Sequence, residues 1–288
     1  ARPRIAVVTA SAHDPFDPVD FYLDALSQAG ADGQWWPVDA AMEAAIDAGP
    51  AGCARLPALR VEHLGLPRRE AVFPDLTRVQ LEACNDPAAF ARLPDRVHGV
   101  FFIGGDQWRL RQAFFDDADH PRPWLRVLRD AVARGGVVIG GTSAGSAVQS
   151  AAPMLGNGAP GAVTRVHAAA PPTPGCARAG TCLRGIYEDA VTVWPAVGLG
   201  LAPGLVVDTH FSERARESRL LQVLAATGTR RGIGVDETSA VRIAWQPDAS
   251  MELDAIGASG AWVFDDVQAC RKGMTRAIAH YLAPGARA

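Results

Sequence analysis

The chain has 288 residues, 48% of them hydrophobic, 20% charged and 7% aromatic, a composition that can bury a large core and lies far from that of disordered chains. A formal net charge of −3 gives no global case for nucleic-acid binding, and no run approaches the roughly 18 consecutive apolar residues of a membrane span. Of the 28 basic residues only Lys272 is a lysine, and the arginines are scattered along the whole chain, which reads as compositional habit. The chain opens at Ala1 without a methionine or a signal-peptide pattern, as a processed or trimmed product would.

Short β-rich runs alternate with helical patterns, which predicts an α/β fold around a mostly parallel sheet. Ile5–Thr9 reads as a buried strand. Asp20–Ala29 carries Phe21, Leu23, Ala25 and Leu26 at near-helical spacing and stops at Gly30. Gln34–Val38 is a second strand, Ala51–Ala71 is irregular, and Leu76–Ala83 and Pro87–Leu93 are short helices. Val97–Ile103 is a strand that ends in Gly104-Gly105-Asp106-Gln107, followed by helices over Trp108–Phe115 and Trp124–Ala133. Val137–Ile139 is a strand running into Gly140-Gly141-Thr142-Ser143-Ala144-Gly145, with a helix beginning over Ser146–Ser150.

From about Gly156 to Gly185 the Gly-, Ala- and Pro-rich sequence predicts a long loop or insertion. Leu205–Val207 is a strand into Asp208-Thr209-His210-Phe211, and Arg214–Ala226 is a helix with Leu220, Leu221, Val223 and Leu224 on its apolar side. Ile233–Val235 and Ala240–Ala244 are strands flanking Asp236-Glu237; Ala261–Phe264 is a late strand, and Val267–Leu282 a C-terminal helix. With no internal repeat and no linker, residues 1–288 read as a single domain.

The five cysteines are Cys53, Cys84, Cys176, Cys182 and Cys270. None lies in a CxxC pair or at zinc-ligand spacing. Cys176 and Cys182 flank a short loop-like run and are the candidates for a small disulfide; a buried free thiol is the blander reading for each cysteine.

Three segments carry chemistry. Gly141-Thr142-Ser143-Ala144-Gly145 is a strand-to-helix turn with small residues around a serine, so the hydroxyl stands exposed at a helix N-terminus, where N–H groups favour developing negative charge. Such turns also bind phosphate or merely turn. Gly104-Gly105-Asp106-Gln107 follows a neighbouring strand; the N–H of Gly105 is placed to join an oxyanion hole, while the plain reading makes Asp106 a helix cap. His210 follows a third strand and is a candidate base for a serine nucleophile, with Asp208, Asp236 and Glu237 as candidates for the acid that orients it. A satisfied structural histidine is the bland alternative.

These motifs, together with Gly198 to Leu221 and Gly232 to Glu237, occur in an order and spacing that resembles the cyanophycinases, in the serine peptidase family that also holds the aspartyl dipeptidase peptidase E. The resemblance covers roughly Ile5 to Ala244. It implies a three-layer α/β fold like that of class I glutamine amidotransferases, with a mostly parallel sheet flanked by helices and an elbow nucleophile. It implies Ser143 as nucleophile, His210 as base, Glu237 as first choice for the orienting acid with Asp208 second, and backbone N–H groups of Gly105 and Ala144 as the oxyanion hole. It implies no metal or organic cofactor, a homodimer, and neither nucleic-acid nor membrane partners. The implied substrate is cyanophycin, a poly-aspartate with arginine on each side-chain carboxyl, cut from its end to β-aspartyl-arginine.

Gln107, Asp106, Asp208 and Thr209 would line the substrate site, and Arg214, Arg216 and Arg219 would meet carboxylates. The alternative is that these arginines pair with Glu213 and Glu217 on a solvated helix face. Asp106, Asp208 and Glu213 are candidates for the arginyl guanidinium. Thr209 stands where family members commonly have Gln, the 156–185 run is longer than is typical, and the family's usual first strand is expected to be missing. Two rival functions remain: an aspartyl or isoaspartyl dipeptidase of the peptidase E type, and a catalytically silent binding protein on the same fold. A secreted or periplasmic location suits polymer scavenging; a cytoplasmic storage-mobilising enzyme is the alternative.

Overall fold

Apolar runs that end in glycine turns build the first half of the molecule, and alternating strands build the second. The computed structural model describes residues 2–151, 154–156, 166–168, 191–194, 198–246, 248, 250–269 and 275–288. Cys176, Cys182, Cys270, Lys272 and most of the predicted 156–185 loop lie outside the described residues. The chain divides into two compact units, Ala1–Ser146 and Ala147–Ala288.

The first unit is built on a parallel sheet of β1 (Arg4–Val8), β2 (Asp32–Trp35), β3 (Gly99–Phe102) and β4 (Val138–Gly141), in the order β2-β1-β3-β4. Every neighbouring pair is parallel. Parallel neighbours require crossover connections, and here helices supply them: Val19–Gln28 between β1 and β2, a run of helices from Ala40 to Ala91 between β2 and β3, and Gln107–Phe114 and Pro123–Ala133 between β3 and β4. The expected irregular stretch 51–71 is helical in pieces, Pro50–Cys53, Leu56–Leu64 and Arg69–Val72. Pro50 and Pro57 fall at first-turn positions, where the missing N–H costs nothing. Trp36, Phe90, Phe102, Phe114 and Trp124 form an interlocked aromatic core. Cys53 and Cys84 are joined by a disulfide across 31 residues and are not the buried free thiols expected of each cysteine.

Arginine does structural work in this core. The guanidinium of Arg60, 1% exposed, donates to Gln80 Oε1 at 2.9 Å and pairs with Glu70. Gln80 in turn donates to Asp39 Oδ2 at 2.6 Å, and Asp39 caps the helix Ala40–Asp47 by accepting from Met42 N at 2.7 Å. Arg111 is likewise sunk against Asp119, and Arg122 against Glu43 and Asp47. Burial pushes the Glu43 carboxyl up to about 7, although the facing Arg122 pulls it down. A planar guanidinium can satisfy several acceptors at once, which a lysine ammonium on a thin stem does less well.

The second unit carries a four-stranded sheet of β8 (Leu205–Thr209), β9 (Arg231–Val235), β12 (Ala261–Ala269) and β13 (Thr275–Leu282), in the order β13-β12-β9-β8. β8 and β9 are parallel; β12 is antiparallel to both β9 and β13. An antiparallel hairpin, β10 (Ser239–Trp245) and β11 (Met251–Gly257), stands beside it. A three-stranded sheet holds β5 (Met154–Gly156), β6 (Val166–Ala168) and β7 (Val191–Trp194) in the order β5-β7-β6. Alternation along β8 sorts its side chains. Val206 joins Phe211, Leu220, Val223, Leu224 and Phe264 on the face covered by the helix Glu217–Thr227, while Leu205 and Val207 pack with Leu253 and Ala255 on the other.

The expected C-terminal helix over Val267–Leu282 is replaced, at its described residues 267–269 and 275–282, by the end of β12 and by β13. Ala277, Ile278, Tyr281 and Leu282 satisfy a helical spacing as readily as a strand. The backbone of β12 finds its second set of hydrogen-bond partners in β13, so tertiary pairing overrides local preference.

Candidate active site

In the first unit, β1, β3 and β4 lie side by side and parallel, so the residues that follow their carboxyl ends emerge on one edge. Those residues are Ser11, Gly104-Gly105 and Ser143. Ser143 has φ +50°, in the left-handed region, which costs a residue with a β-carbon on the order of 1 kcal/mol. The turn around it holds that strain. Gly145 N donates to Thr142 O at 2.9 Å, Ser146 N to Ser143 O at 3.0 Å, and Ser146 Oγ to Gly141 O at 2.6 Å. Position 145 admits no side chain, since a β-carbon there would stand 2.2 Å from the Phe102 carbonyl oxygen. One on Gly104 would stand 3.1 Å from Ser143 Cβ, so elbow and neighbouring turn are in direct contact.

Gly105 has φ +144°, and a β-carbon on it would lie 2.2 Å from the Ser11 carbonyl oxygen. Ser11 escaped sequence reading. It is buried, its hydroxyl lies 2.8 and 2.9 Å from the Ile103 and Gly104 carbonyls, and its own carbonyl accepts from Asp106 N at 2.9 Å. Nothing in the local pattern marks it, because its partners are over 90 residues away. The Gly105 turn is thereby held rigid. None of the loop and turn hydrogen bonds among the described residues uses the N–H of Gly105 or Ala144, which suits both to the developing oxyanion of an acyl-transfer step. Asp106 is the cap of the helix Gln107–Phe114, its carboxylate accepting from Trp108 N at 2.8 Å, and Gln107 is that helix's first residue.

In the second unit, β8 and β9 are adjacent and parallel, so His210 and Asp236-Glu237 follow neighbouring strand ends on one edge. His210 Nδ1 lies 2.8 Å from Glu237 Oε1. With the ring proton on Nδ1 this bond donates to the carboxylate and leaves Nε2 as the basic nitrogen. The ring is a quarter exposed, open enough to exchange a proton. His210 also sits at φ +50°. Phe211, the next residue, anchors it: the phenyl ring is fully buried and lies directly under Gly234 of β9, where a β-carbon would come within 2.3 Å of ring atoms.

Asp208 does not bond the imidazole. Its carboxylate is buried and gripped by Arg219, Nη2 to Oδ1 at 2.6 Å and Nε to Oδ2 at 3.0 Å, a side-on bidentate pair. Oδ1 also accepts from Thr209 N at 2.8 Å and faces Arg216 Nη1 at 3.3 Å. Arg216 Nη1 donates to the Thr209 carbonyl at 2.6 Å, and Thr209 itself is buried. Burial, with the Arg219 charge beside it, lowers the Arg216 guanidinium to about 10. One carboxylate thus faces two guanidiniums within the two residues before His210, and the cluster carries net positive charge. Arg219 is an interior residue at 3% exposure, whereas Arg214 sits exposed on the turn Ser212–Arg214. Among the described residues no cluster of three or more His, Cys, Asp or Glu side chains could hold a metal ion, and no helix is long and apolar enough to cross a membrane.

A parallel sheet flanked by helices in the first unit, and a mixed sheet with a covering helix in the second, define an α/β fold that a solved peptidase shares. The chain aligns over 99% of its length with a peptidase from an acI-B1 Actinobacterium, covering 82% of that chain at TM-score 0.50 and 16% identity. By sequence it is similar to curated cyanophycinases. It is 32% identical over 178 residues to the cyanophycinase of Trichormus variabilis, a match over 62% of this chain and 45% of the relative. It is 32% identical over 160 residues to that of Geminocystis herdmanii, covering 55% and 47%, and 34% identical over 147 residues to that of Synechococcus elongatus, covering 51% and 36%. The chain spans less than half the length of these curated relatives. No family model matches it.

Proposed function

We propose that this chain is a serine-type exopeptidase that hydrolyses cyanophycin to β-aspartyl-arginine. Ser143 Oγ attacks the scissile carbonyl while His210 Nε2 takes its proton; the oxyanion is met by the N–H groups of Gly105 and Ala144; the imidazolium, steadied by Glu237, protonates the leaving amine. Water, deprotonated by the same imidazole, then releases the acyl group and restores Ser143. The observation that carries this reading is the 2.8 Å bond between His210 Nδ1 and Glu237 Oε1, which sets the tautomer a general base requires. The names of the similar curated proteins supply the substrate class. The positive cluster of Asp208, Arg216 and Arg219 beside His210, with exposed Arg214, favours a substrate rich in carboxylates.

The test is to incubate the protein and its Ser143→Ala variant with purified cyanophycin and with β-Asp-Arg, isoaspartyl and α-aspartyl peptides. Release of β-Asp-Arg from the polymer is expected from the parent and lost, by a factor of at least roughly 10³, in the variant. Cleavage of dipeptides with the polymer untouched would replace the polymer reading by a dipeptidase. No Ser143-dependent hydrolysis of any of them would overturn the enzyme reading.

A further inference from the structure

His210 and Glu237 stand on two short loops whose backbones are under strain. Seven non-glycine residues among those described have positive φ, and three lie here: His210 at +50°, Ala215 at +48° and Thr238 at +59°. Strained turns persist only where neighbouring groups hold them. The residues that do so form a reciprocal pair. Ser212 N, two residues after the histidine, donates to Asp236 Oδ1 at 3.0 Å. Glu237 N donates to Glu213 Oε1 at 3.0 Å. Each loop therefore lends a carboxylate to a backbone N–H of the other. The bonds cross in opposite senses, so the loops cannot slide along or swing apart without breaking one of them. Trp262 of β12 adds a strut, its Nε1 donating to Ser212 Oγ at 3.1 Å.

Asp236 is 6% exposed and built into the sheet edge, whereas Glu213 is exposed and spends its carboxylate on the residue that orients the histidine. We infer that Glu213 is a positioning residue, and that with Asp236 it clasps the two loops so that Glu237 meets His210 Nδ1. This rests on the reading of His210 and Glu237 as base and orienting acid. It gives Glu213 a structural task distinct from holding the arginyl guanidinium, with Oε1 as the acceptor for Glu237 N.

The two roles for Glu213 give opposite results. A glutamine at position 213 still offers an oxygen to Glu237 N but no negative charge; an alanine offers neither. For a clasp, Glu213→Ala is expected to lower kcat on cyanophycin by roughly tenfold to a hundredfold with KM little changed, and Glu213→Gln to recover most of that loss. For a guanidinium site, both variants would raise KM alike, and that result would overturn the proposal. A readout independent of turnover is the 15N spectrum of the His210 ring at fixed pH in the full chain. The Nδ1–H tautomer is expected to dominate in the parent and in Glu213→Gln, and to lose population in Glu213→Ala. An unchanged tautomer in Glu213→Ala would overturn the clasp even if the enzyme reading stands. If Ser143→Ala hydrolyses as well as the parent, the enzyme reading fails, while the ring spectra still decide the clasp.

Discussion

Replacing Gly234 with alanine drives a methyl group into the phenyl ring of Phe211. The added β-carbon would stand 2.3 to 2.4 Å from three ring atoms, about 1 Å inside ordinary contact, so ring or strand must retreat by that amount. Phe211 has no room to give, being fully buried among Val206, Leu220, Val223 and Phe264. Overpacking of this kind costs about 2–3 kcal/mol. For a chain of this size that is a fall in Tm of roughly 3–5 °C. The strand supplies its own control two residues earlier on the same face. A β-carbon on Gly232 would meet only methyl ends of Leu224 and Leu220, at 2.7 and 3.2 Å, which can swing aside, and Gly232→Ala should cost about 1 kcal/mol. The second consequence is catalytic. Phe211 follows His210 directly, so a displaced ring displaces the imidazole from Glu237, and kcat should fall by roughly tenfold or more in Gly234→Ala, measured well below its Tm, with Gly232→Ala near the parent. Thermal unfolding and steady-state kinetics on the two variants are the assay. Equal Tm losses in the two, or a Gly234→Ala protein with full kcat, would refute the argument that the ring under β9 sets the histidine.

Two further expectations concern the first unit. The Glu43 carboxyl titrates near 7 in the folded chain against 4.5 ordinarily, so the folded state holds a proton that the unfolded state has released between those values. Its contribution is complete below pH 4.5 and is lost as pH rises through 7, with a slope of up to about 1.4 kcal/mol per pH unit. Glu43→Gln should flatten the pH dependence of the unfolding free energy across that window, and an unaltered slope would refute the assignment. The Cys53–Cys84 bond closes a loop across 31 residues, for which loop-closure entropy gives about 4 kcal/mol of stabilisation; the double variant Cys53→Ala/Cys84→Ala should lose that amount in denaturant titrations, and a loss below about 1 kcal/mol would contradict it.

The elements that proved legible in the sequence are those whose signal is local. β1, β3, β4, β8 and β9 are short apolar runs ending in turn residues, and each is formed close to where it was expected. The parallel arrangement follows from their alternation with helices, and it brings Ser143 and Gly105 to one sheet edge, His210 and Glu237 to another. The chemical character of those four positions was therefore contained in residue type and order. Partner choice was not. That Glu237 takes the imidazole while Asp208 is gripped by Arg219 and Arg216 depends on which way two carboxylates leave two strand ends, a matter of strand register. Ser11, Glu213 and Asp236 act through backbone groups of residues 24 to 93 positions away, so no short-range pattern announces them. The C-terminal strand was misread as a helix because its apolar spacing fits both periods, and only the unpaired edge of β12 chooses between them. The arginine excess, which reads as compositional, contains Arg60, and the site candidates contain Arg219; both are buried and bound to acceptors only the fold brings within reach. Sequence determines which chemistry is present at each strand end, because that is a property of single residues; tertiary structure decides which charges meet, because that requires distances between segments far apart in the chain.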